Sequence, residues 1–163
     1  MCVLFYFFES GDVMNVKYMK IALEEAQKAF YEGEIPVGAV IVYNDKVIAQ
    51  AHNLKEKTNC SINHAEIIAI KEACNKLGTW RLNDCDVYLT MEPCLMCCGA
   101  LIQSRINKVY YLLNNDKFGG IISMDKIINY SRGNHKFEYE KVNDAKLERI
   151  STLLLKEFFL SKR

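Results

Sequence analysis

Two short motifs contain residue types that bind a catalytic metal ion. The first is His64-Ala-Glu66, and the second is Pro-Cys94-Leu-Met-Cys97. Two cysteines three residues apart on a helix place both sulfurs on one face, where they can bind a single ion. His64 would complete a set of three protein ligands, which is typical of catalytic zinc because the fourth position is left for water. The motifs therefore predict one zinc ion per subunit and a hydrolytic reaction.

Glu66 is the candidate proton carrier of this site. Zinc can lower the pKa of bound water from about 15.7 to about 7, which supplies hydroxide at neutral pH. Glu66 lies two residues after His64, about 200° around a helix, so we expect its carboxylate beside the water. There it would take a proton from the water and deliver it to a ring nitrogen and to the departing amine. Alone, the Cys-x-x-Cys motif is more typical of redox sites, structural zinc or buried cysteines. Together the motifs match the H-x-E and P-C-x-x-C signature of zinc deaminases.

The elements that must position these residues follow from apolar spacing and turn signals. Residues from Tyr18 to Gly33 have the spacing of a helix on a core, and Asn44-Asp45 joins two β-rich runs into a hairpin. The order of helices and strands implies a three-layer α/β/α fold with a mixed five-stranded sheet, partly parallel and opened by the antiparallel hairpin. The other predicted elements are strands at 37–43, 46–51, 86–90, 108–113 and 136–141, and helices at 64–76 (capped by Asn63), 93–104, 123–130 and 144–160.

Composition bounds the class of protein. The chain has 163 residues, half of them hydrophobic, with a formal net charge of +1, which predicts one globular domain and leaves RNA binding open. Seven cysteines form an odd set without a preceding secretory signal, which favours the reducing cytoplasm. The apolar run 3–8 is too short to span a membrane. We expect residues 1–13 to be an extension outside the fold and residues 14–163 to be the zinc-dependent deaminase domain.

From about Met14 to the C-terminus the sequence resembles bacterial tRNA-specific adenosine deaminases. This resemblance implies a cytidine-deaminase-like fold, a homodimer, and hydrolysis of the wobble adenosine in a tRNA anticodon stem-loop to inosine and ammonia. The segments that carry it are Ile-Pro-Val-Gly-Ala-Val-Ile-Val (35–42), His-Ala-Glu-Ile (64–67), Leu-Gly-Thr-Trp-Arg-Leu (77–82), Tyr-Leu-Thr-Met-Glu-Pro-Cys-Leu-Met-Cys (88–97), Ser-Arg-Ile (104–106) and Leu-Leu-Leu-Lys-Glu-Phe-Phe (153–159).

The resemblance also implies a role for individual residues. It assigns His64, Cys94 and Cys97 to zinc and Glu66 to general acid and base catalysis. The implied substrate contacts are a hydrogen bond from Asn53 to the flipped nucleotide, backbone N–H groups near Ala65 that help hold the metal-bound oxygen, a pocket wall at Val37, and contacts from Lys117 and Asn115.

Asn115 departs from the family pattern. Family members typically carry Asp two residues before Lys117 and a small residue after it, whereas this chain has Asn115 and Phe118. An Asp would accept a hydrogen bond from a ribose 2′-OH, while Asn can both donate and accept. We therefore predict weaker discrimination between RNA and DNA, unless Asp116 takes the role after a shift of the loop by one residue.

Two other functions remain open from the sequence. The first is the same chemistry on cytosine, guanine or deoxycytidylate, because the metal motif is common to these deaminases. The second is a noncatalytic, zinc-stabilised RNA-binding module, against which the presence of Glu66 argues. The Arg-Leu and Ser-Arg-Ile segments and the C-terminal Phe-Phe helix favour tRNA.

Overall fold

A five-stranded mixed sheet lies at the centre of the computed structural model, which describes residues 14–122 and 135–162. The strand order is β2-β1-β3-β4-β5. β1 is antiparallel to both of its neighbours, whereas β3, β4 and β5 run parallel. The predicted fold class is therefore confirmed. The strands are β1 (Gly38–Tyr43), β2 (Lys46–His52), β3 (Cys85–Met91), β4 (Lys108–Leu113) and β5 (Glu138–Lys141).

Helices cover both faces of the sheet. Alternate residues of each strand point to opposite faces, so the core divides into two clusters. One cluster packs the sheet against α1 and α5 through residues such as Met19, Val40 and Leu147. The other packs it against α3 and α4 through residues such as Ala69 and Leu101. The helices are α1 (Met14–Tyr31), α2 (Lys55–Thr58), α3 (Ala65–Leu77), α4 (Leu95–Gln103) and α5 (Ala145–Ser161).

Two sequence predictions fall outside the described residues: the extension at 1–13 and the short helix at 123–130. No helix in the two described ranges is both long and apolar enough to cross a bilayer.

The hairpin between β1 and β2 closes through a two-residue turn without glycine. Asn44 and Asp45 both have positive φ angles, 48° and 58°. A turn with two left-handed residues matches the twist of the flanking strands, and Asn and Asp tolerate this conformation better than other side chains. The predicted hairpin is confirmed, and it leads β2 to His52, directly before Asn53.

Gly38 lets α1 approach β1 closely. A Cβ at this position would lie 1.9 Å from the carbonyl oxygen of Ala22. The N–H of Gly38 also donates to Oγ1 of Thr90 in β3, at 3.1 Å. The first contact fixes the start of β1, next to Val37, relative to α1, and the second fixes it relative to the end of β3 that leads to Cys94.

Candidate active site

Three side chains of metal-ligand type converge where α3 and α4 begin. Nδ1 of His64 lies 3.8 Å from Sγ of Cys94 and 3.6 Å from Sγ of Cys97. Tetrahedral zinc with ordinary Zn–N and Zn–S bond lengths holds N and S about 3.6 Å apart. The donor atoms all lie within 4.8 Å of one another, and no other such group occurs within residues 14–122 and 135–162. The donor atoms therefore lie at separations that suit one zinc ion.

His64 and Cys94 occupy the N-cap positions of α3 and α4. Neither side chain makes a capping hydrogen bond, so both are free to face the ligand cluster. The prediction that Asn63 caps α3 is wrong, because its side chain donates instead to Thr58 at 2.8 Å. A distant residue, Asn53, accepts from the first N–H of α3 instead.

A hydrogen bond between the two thiols shifts their pKa values in opposite directions. The Cys97 thiol donates to the sulfur of Cys94, and this hydrogen bond lowers the pKa of Cys94 to about 4. The same hydrogen bond and burial raise the pKa of Cys97. The hydrogen bond to Cys94 raises the pKa of His64. The lowered pKa favours the thiolate form of Cys94, and binding of a metal would release the proton of Cys97.

Glu66 is buried beside these ligands with an unsatisfied oxygen. Its side chain is 4% exposed, and Oε2 has no hydrogen-bond partner among the described residues. Burial raises the pKa of Glu66. A buried carboxyl oxygen without a partner is costly, which indicates that a group outside the chain satisfies it. A raised pKa also suits a group that must both take up and release a proton near neutral pH.

Asn53 connects three segments around the site. Its Oδ1 accepts from the N–H of Ala65 at 2.9 Å, and its Nδ2 donates to the carbonyl of Ile35 at 3.2 Å. Its backbone N–H donates to Val37 at 3.3 Å. The structure therefore brings the predicted contacts Asn53, Ala65 and Val37 together. The N–H of Ala65 is already hydrogen-bonded to Oδ1 of Asn53, and one N–H of Asn53 is bonded to Ile35. Asn53 can therefore still offer a ligand its second N–H and a second lone pair on Oδ1.

Sequence reasoning missed Glu92, a buried carboxylate two residues before Cys94. Glu92 is 1% exposed. Its Oε2 accepts from the N–H of Asn115 at 3.0 Å, and its Oε1 accepts from those of Ile121 and Ile122 at 3.0 and 2.6 Å. An acidic residue directly after a buried strand was the available signal, because such a residue needs hydrogen-bond donors. Glu92 thus fixes the loop 114–122.

The loop 114–122 runs alongside Cys94. Gly119 forms an isolated β-bridge with Cys94, and Gly120 donates to the carbonyl of Pro93 at 2.8 Å. A Cβ at Gly119 would lie 2.4 Å from the carboxyl group of Glu92. The same Cβ would lie 2.7 Å from the carbonyl oxygen of Asn115, so a larger residue at this position would have to displace the loop or the Glu92 carboxylate.

The loop carries the predicted contacts Asn115 and Lys117. Oδ1 of Asn115 accepts from the N–H of Phe118 at 3.2 Å. The side-chain oxygen of Asn115 thus closes the turn of this loop, and its NH₂ group has no hydrogen-bond partner in the part of the chain that the structure describes. Lys117 and Phe118 are exposed. Lys117 makes no ion pair within the part of the chain that the structure describes.

Comparison with known proteins gives a consistent result. Residues 13–113 match the family model described as the cytidine and deoxycytidylate deaminase zinc-binding region. This range includes His64, Cys94 and Cys97, and the match together with their clustering confirms zinc as the cofactor. A tRNA-specific adenosine deaminase of Aquifex aeolicus is 44% identical over 148 residues, covering 90% of this chain and 94% of that protein. One from Bacillus subtilis is 47% identical, covering 74% and 75%. A solved structure from a study of A-to-I editing by tRNA:A34 deaminases at the wobble position has a TM-score of 0.80 and 34% identity, covering 86% of this chain and 99% of that one.

Proposed function

The chain belongs to the family of tRNA-specific adenosine deaminases, and we propose that it hydrolyses the wobble adenosine of a tRNA to inosine and ammonia. The observation that carries this proposal is a buried oxygen of Glu66 that has no hydrogen-bond partner within residues 14–122 and 135–162 and lies beside the three candidate zinc ligands. It occurs in a chain that is 44% identical to such a deaminase over 90% of its length. The metal cluster alone does not select the substrate, because deaminases of free bases use the same ligands. The relatives favour tRNA.

The residues of the cluster divide the chemistry among them. His64, Cys94 and Cys97 bind zinc, which when bound supplies the Lewis acidity that makes water nucleophilic at neutral pH. Water adds to C6 of adenine. Oε2 of Glu66 takes one proton from the attacking water and passes it to the ring nitrogen. Glu66 then takes the second proton from the added oxygen and delivers it to the amine, so that the bond from C6 to the amine breaks, ammonia leaves and C6 keeps the oxygen as a carbonyl. The burial of Glu66 keeps this carboxyl group in reach of the reacting atoms and away from bulk water.

The reacting adenine must leave the base stack before its C6 can reach this site. Bases of an anticodon loop are partly splayed already, which lowers the cost. We assign Val37 to the wall of the base pocket and the second N–H of Asn53 to the flipped nucleotide. The N–H of Ala65 contributes by holding Asn53 in position, because it donates to Oδ1 of Asn53.

The surface beside the site suits an RNA loop. Lys117 is exposed on the loop 114–122, and we assign it to a phosphate of the RNA backbone. We assign the NH₂ group of Asn115 to the adjacent ribose. A cavity of about 550 Å³ lies next to this loop, between α5 and the ends of β3 and β4. Its lining combines the apolar residues Met91 and Phe159 with Lys156, a combination that suits base stacking and phosphate contact.

We assign the chain to a homodimer and to the cytoplasm, where tRNA is the available substrate. Ile62, Leu95 and Met96 are large apolar side chains exposed on the segment before His64 and on the first turn of α4. A second copy that covers them would remove three exposed apolar side chains from water. Light scattering should give the mass of a dimer, and Met96→Glu should shift it toward the monomer. A wild-type monomer at micromolar concentration would contradict the assignment.

The experiment that tests the function uses total tRNA. Zinc-loaded protein should convert one adenosine to inosine in at least one tRNA, at the wobble position, as read by sequencing. In parallel, ammonia release from cytosine, guanine and deoxycytidylate should stay at background. Ammonia from one of these substrates without inosine in tRNA would show a deaminase of cytosine, guanine or deoxycytidylate instead. If neither ammonia nor inosine is formed, the result would favour a noncatalytic RNA-binding module.

A further inference from the structure

A network of polar side chains outside the ligand cluster holds the end of β2. Nδ1 of His52 lies 2.6 Å from Oε2 of Glu25 in α1. A carboxylate only accepts, so Nδ1 carries the proton and donates it. Glu25 is 3% exposed, and its other oxygen lies 2.5 Å from Nζ of Lys28. The last residue of β2 is thus attached to α1 by a hydrogen bond to a buried carboxylate.

A second attachment follows five residues later. The N–H of Lys57 donates to Oε1 of Glu34, a buried residue, at 2.8 Å. Nζ of Lys57 lies 3.0 Å from Oε2 of Glu32, and the same oxygen lies 3.5 Å from Nε2 of His52. Acidic residues of α1 and of the turn after it therefore hold both ends of the segment 52–57.

Asn53 lies between these attachments and connects them to the site. Its Oδ1 is 2.9 Å from the N–H of Ala65, which stands between the metal ligand His64 and the proton carrier Glu66. A movement of the end of β2 would therefore move Asn53 and the start of α3 together. A displacement of about 1 Å from outside the reacting groups can cost a factor of about 10² in rate.

A gain in folding stability does not explain why polar rather than apolar side chains stand at Glu25 and His52. Glu25 is buried and His52 is partly buried, and replacing both partners of such a hydrogen bond by apolar side chains of the same shape can be nearly neutral or stabilising. A hydrogen bond, unlike an apolar contact, fixes one orientation of both groups. We propose that Glu25 and His52 are positioning residues, which through Asn53 hold His64 and Glu66 in the arrangement that the reaction requires. The activity part of this inference rests on the proposed function, whereas its consequence for metal geometry does not.

The test compares Glu25→Ala, His52→Ala, the double variant and the conservative Glu25→Gln. Two controls are matched to them: Glu24→Ala removes an exposed carboxylate from the neighbouring position of α1, and Val142→Ala opens a core site in the other half of the sheet. For each protein we would measure zinc content, the visible spectrum of the cobalt-substituted form, which reports ligand geometry, the Tm, and kcat and KM on an anticodon stem-loop.

We expect both alanine variants to retain one metal per chain, to change the cobalt spectrum, and to lose about 10- to 100-fold in kcat. The double variant should lose no more than either single one, because the two residues act as a unit. Glu25→Gln keeps an acceptor for His52 and should recover most of the activity. An unchanged cobalt spectrum and kcat, with a fall in Tm like that of Val142→Ala, would overturn the proposal. If the wild type makes no inosine, the proposed function fails, and the cobalt spectra still decide the positioning role.

Discussion

Replacing Glu92 by Gln should loosen the loop 114–122 while leaving the metal ligands in place. The amide keeps one oxygen acceptor, so the variant can still accept from Ile121 and Ile122, but its NH₂ group then faces the N–H of Asn115. Loss of one hydrogen bond to a charged group costs about 1.5–3 kcal/mol, and the hydrogen bonds from Ile121 and Ile122 lose their charge assistance. We therefore expect the free energy of unfolding to fall by about 3 kcal/mol. For a chain of this size that lowers Tm by roughly 6–12 °C.

Urea unfolding of the zinc-loaded protein measures this loss, with the exposed Glu138→Gln as the control that removes a charge without a buried partner. KM for an anticodon stem-loop should rise in Glu92→Gln, because Asn115 and Lys117 lose their fixed position, while zinc content stays at one per chain. A stability loss below about 0.5 kcal/mol, the level of an ordinary surface substitution, would refute the argument that Glu92 holds this loop.

Three further predictions follow from single contacts. Gly38→Ala should lower the free energy of unfolding by about 3 kcal/mol or more, measured in urea, because its Cβ would lie 1.9 Å from the Ala22 oxygen. In the control Gly99→Ala the Cβ meets nothing within 4 Å, so this variant should stabilise α4 by about 1 kcal/mol. Equal effects of the two substitutions would contradict the close approach of α1 to β1. Asn115→Asp should raise the ratio of RNA to DNA stem-loop turnover, because a carboxylate accepts from a ribose 2′-OH; an unchanged ratio would remove Asn115 from the ribose contact. Burial raises the pKa of Cys85 from 9.0 to about 11. The thiol of the unfolded chain therefore ionises first, and the free energy of unfolding should fall by roughly 2–3 kcal/mol as pH rises from about 9 to about 11. The free energy of unfolding of Cys85→Ala should fall less over that range, and an identical fall would exclude this thiol as the cause.

Local patterns were sufficient for the sheet and for the metal cluster. The hairpin, the parallel β3 and β4, and the long terminal helices follow from periodicity, because each depends on residues close in sequence. The residues His64, Cys94 and Cys97 were predicted as a group because their types and spacing match the signature of zinc deaminases. Their convergence then follows from the two helix starts that carry them.

Long-range hydrogen bonds could not be read from the sequence. Glu92 binds a loop more than twenty residues away, and Asn53 replaces Asn63 as the partner of the first N–H of α3. In both cases a side chain satisfies backbone donors of a distant segment, so no local spacing indicates the pair. The short helix α2 was missed because its four residues contain no apolar stripe and bury no side chain.

The central claim is that Glu66 moves protons beside a zinc ion held by His64, Cys94 and Cys97. The most direct measurement is the single-turnover rate of inosine formation in a stem-loop with a wobble adenosine, for the wild type and Glu66→Gln, each with one zinc per chain. We predict inosine at that position and a 10²- to 10⁴-fold slower rate in the variant. A variant within a few-fold of the wild type, or a zinc-loaded wild type that leaves the adenosine unchanged, would contradict the account.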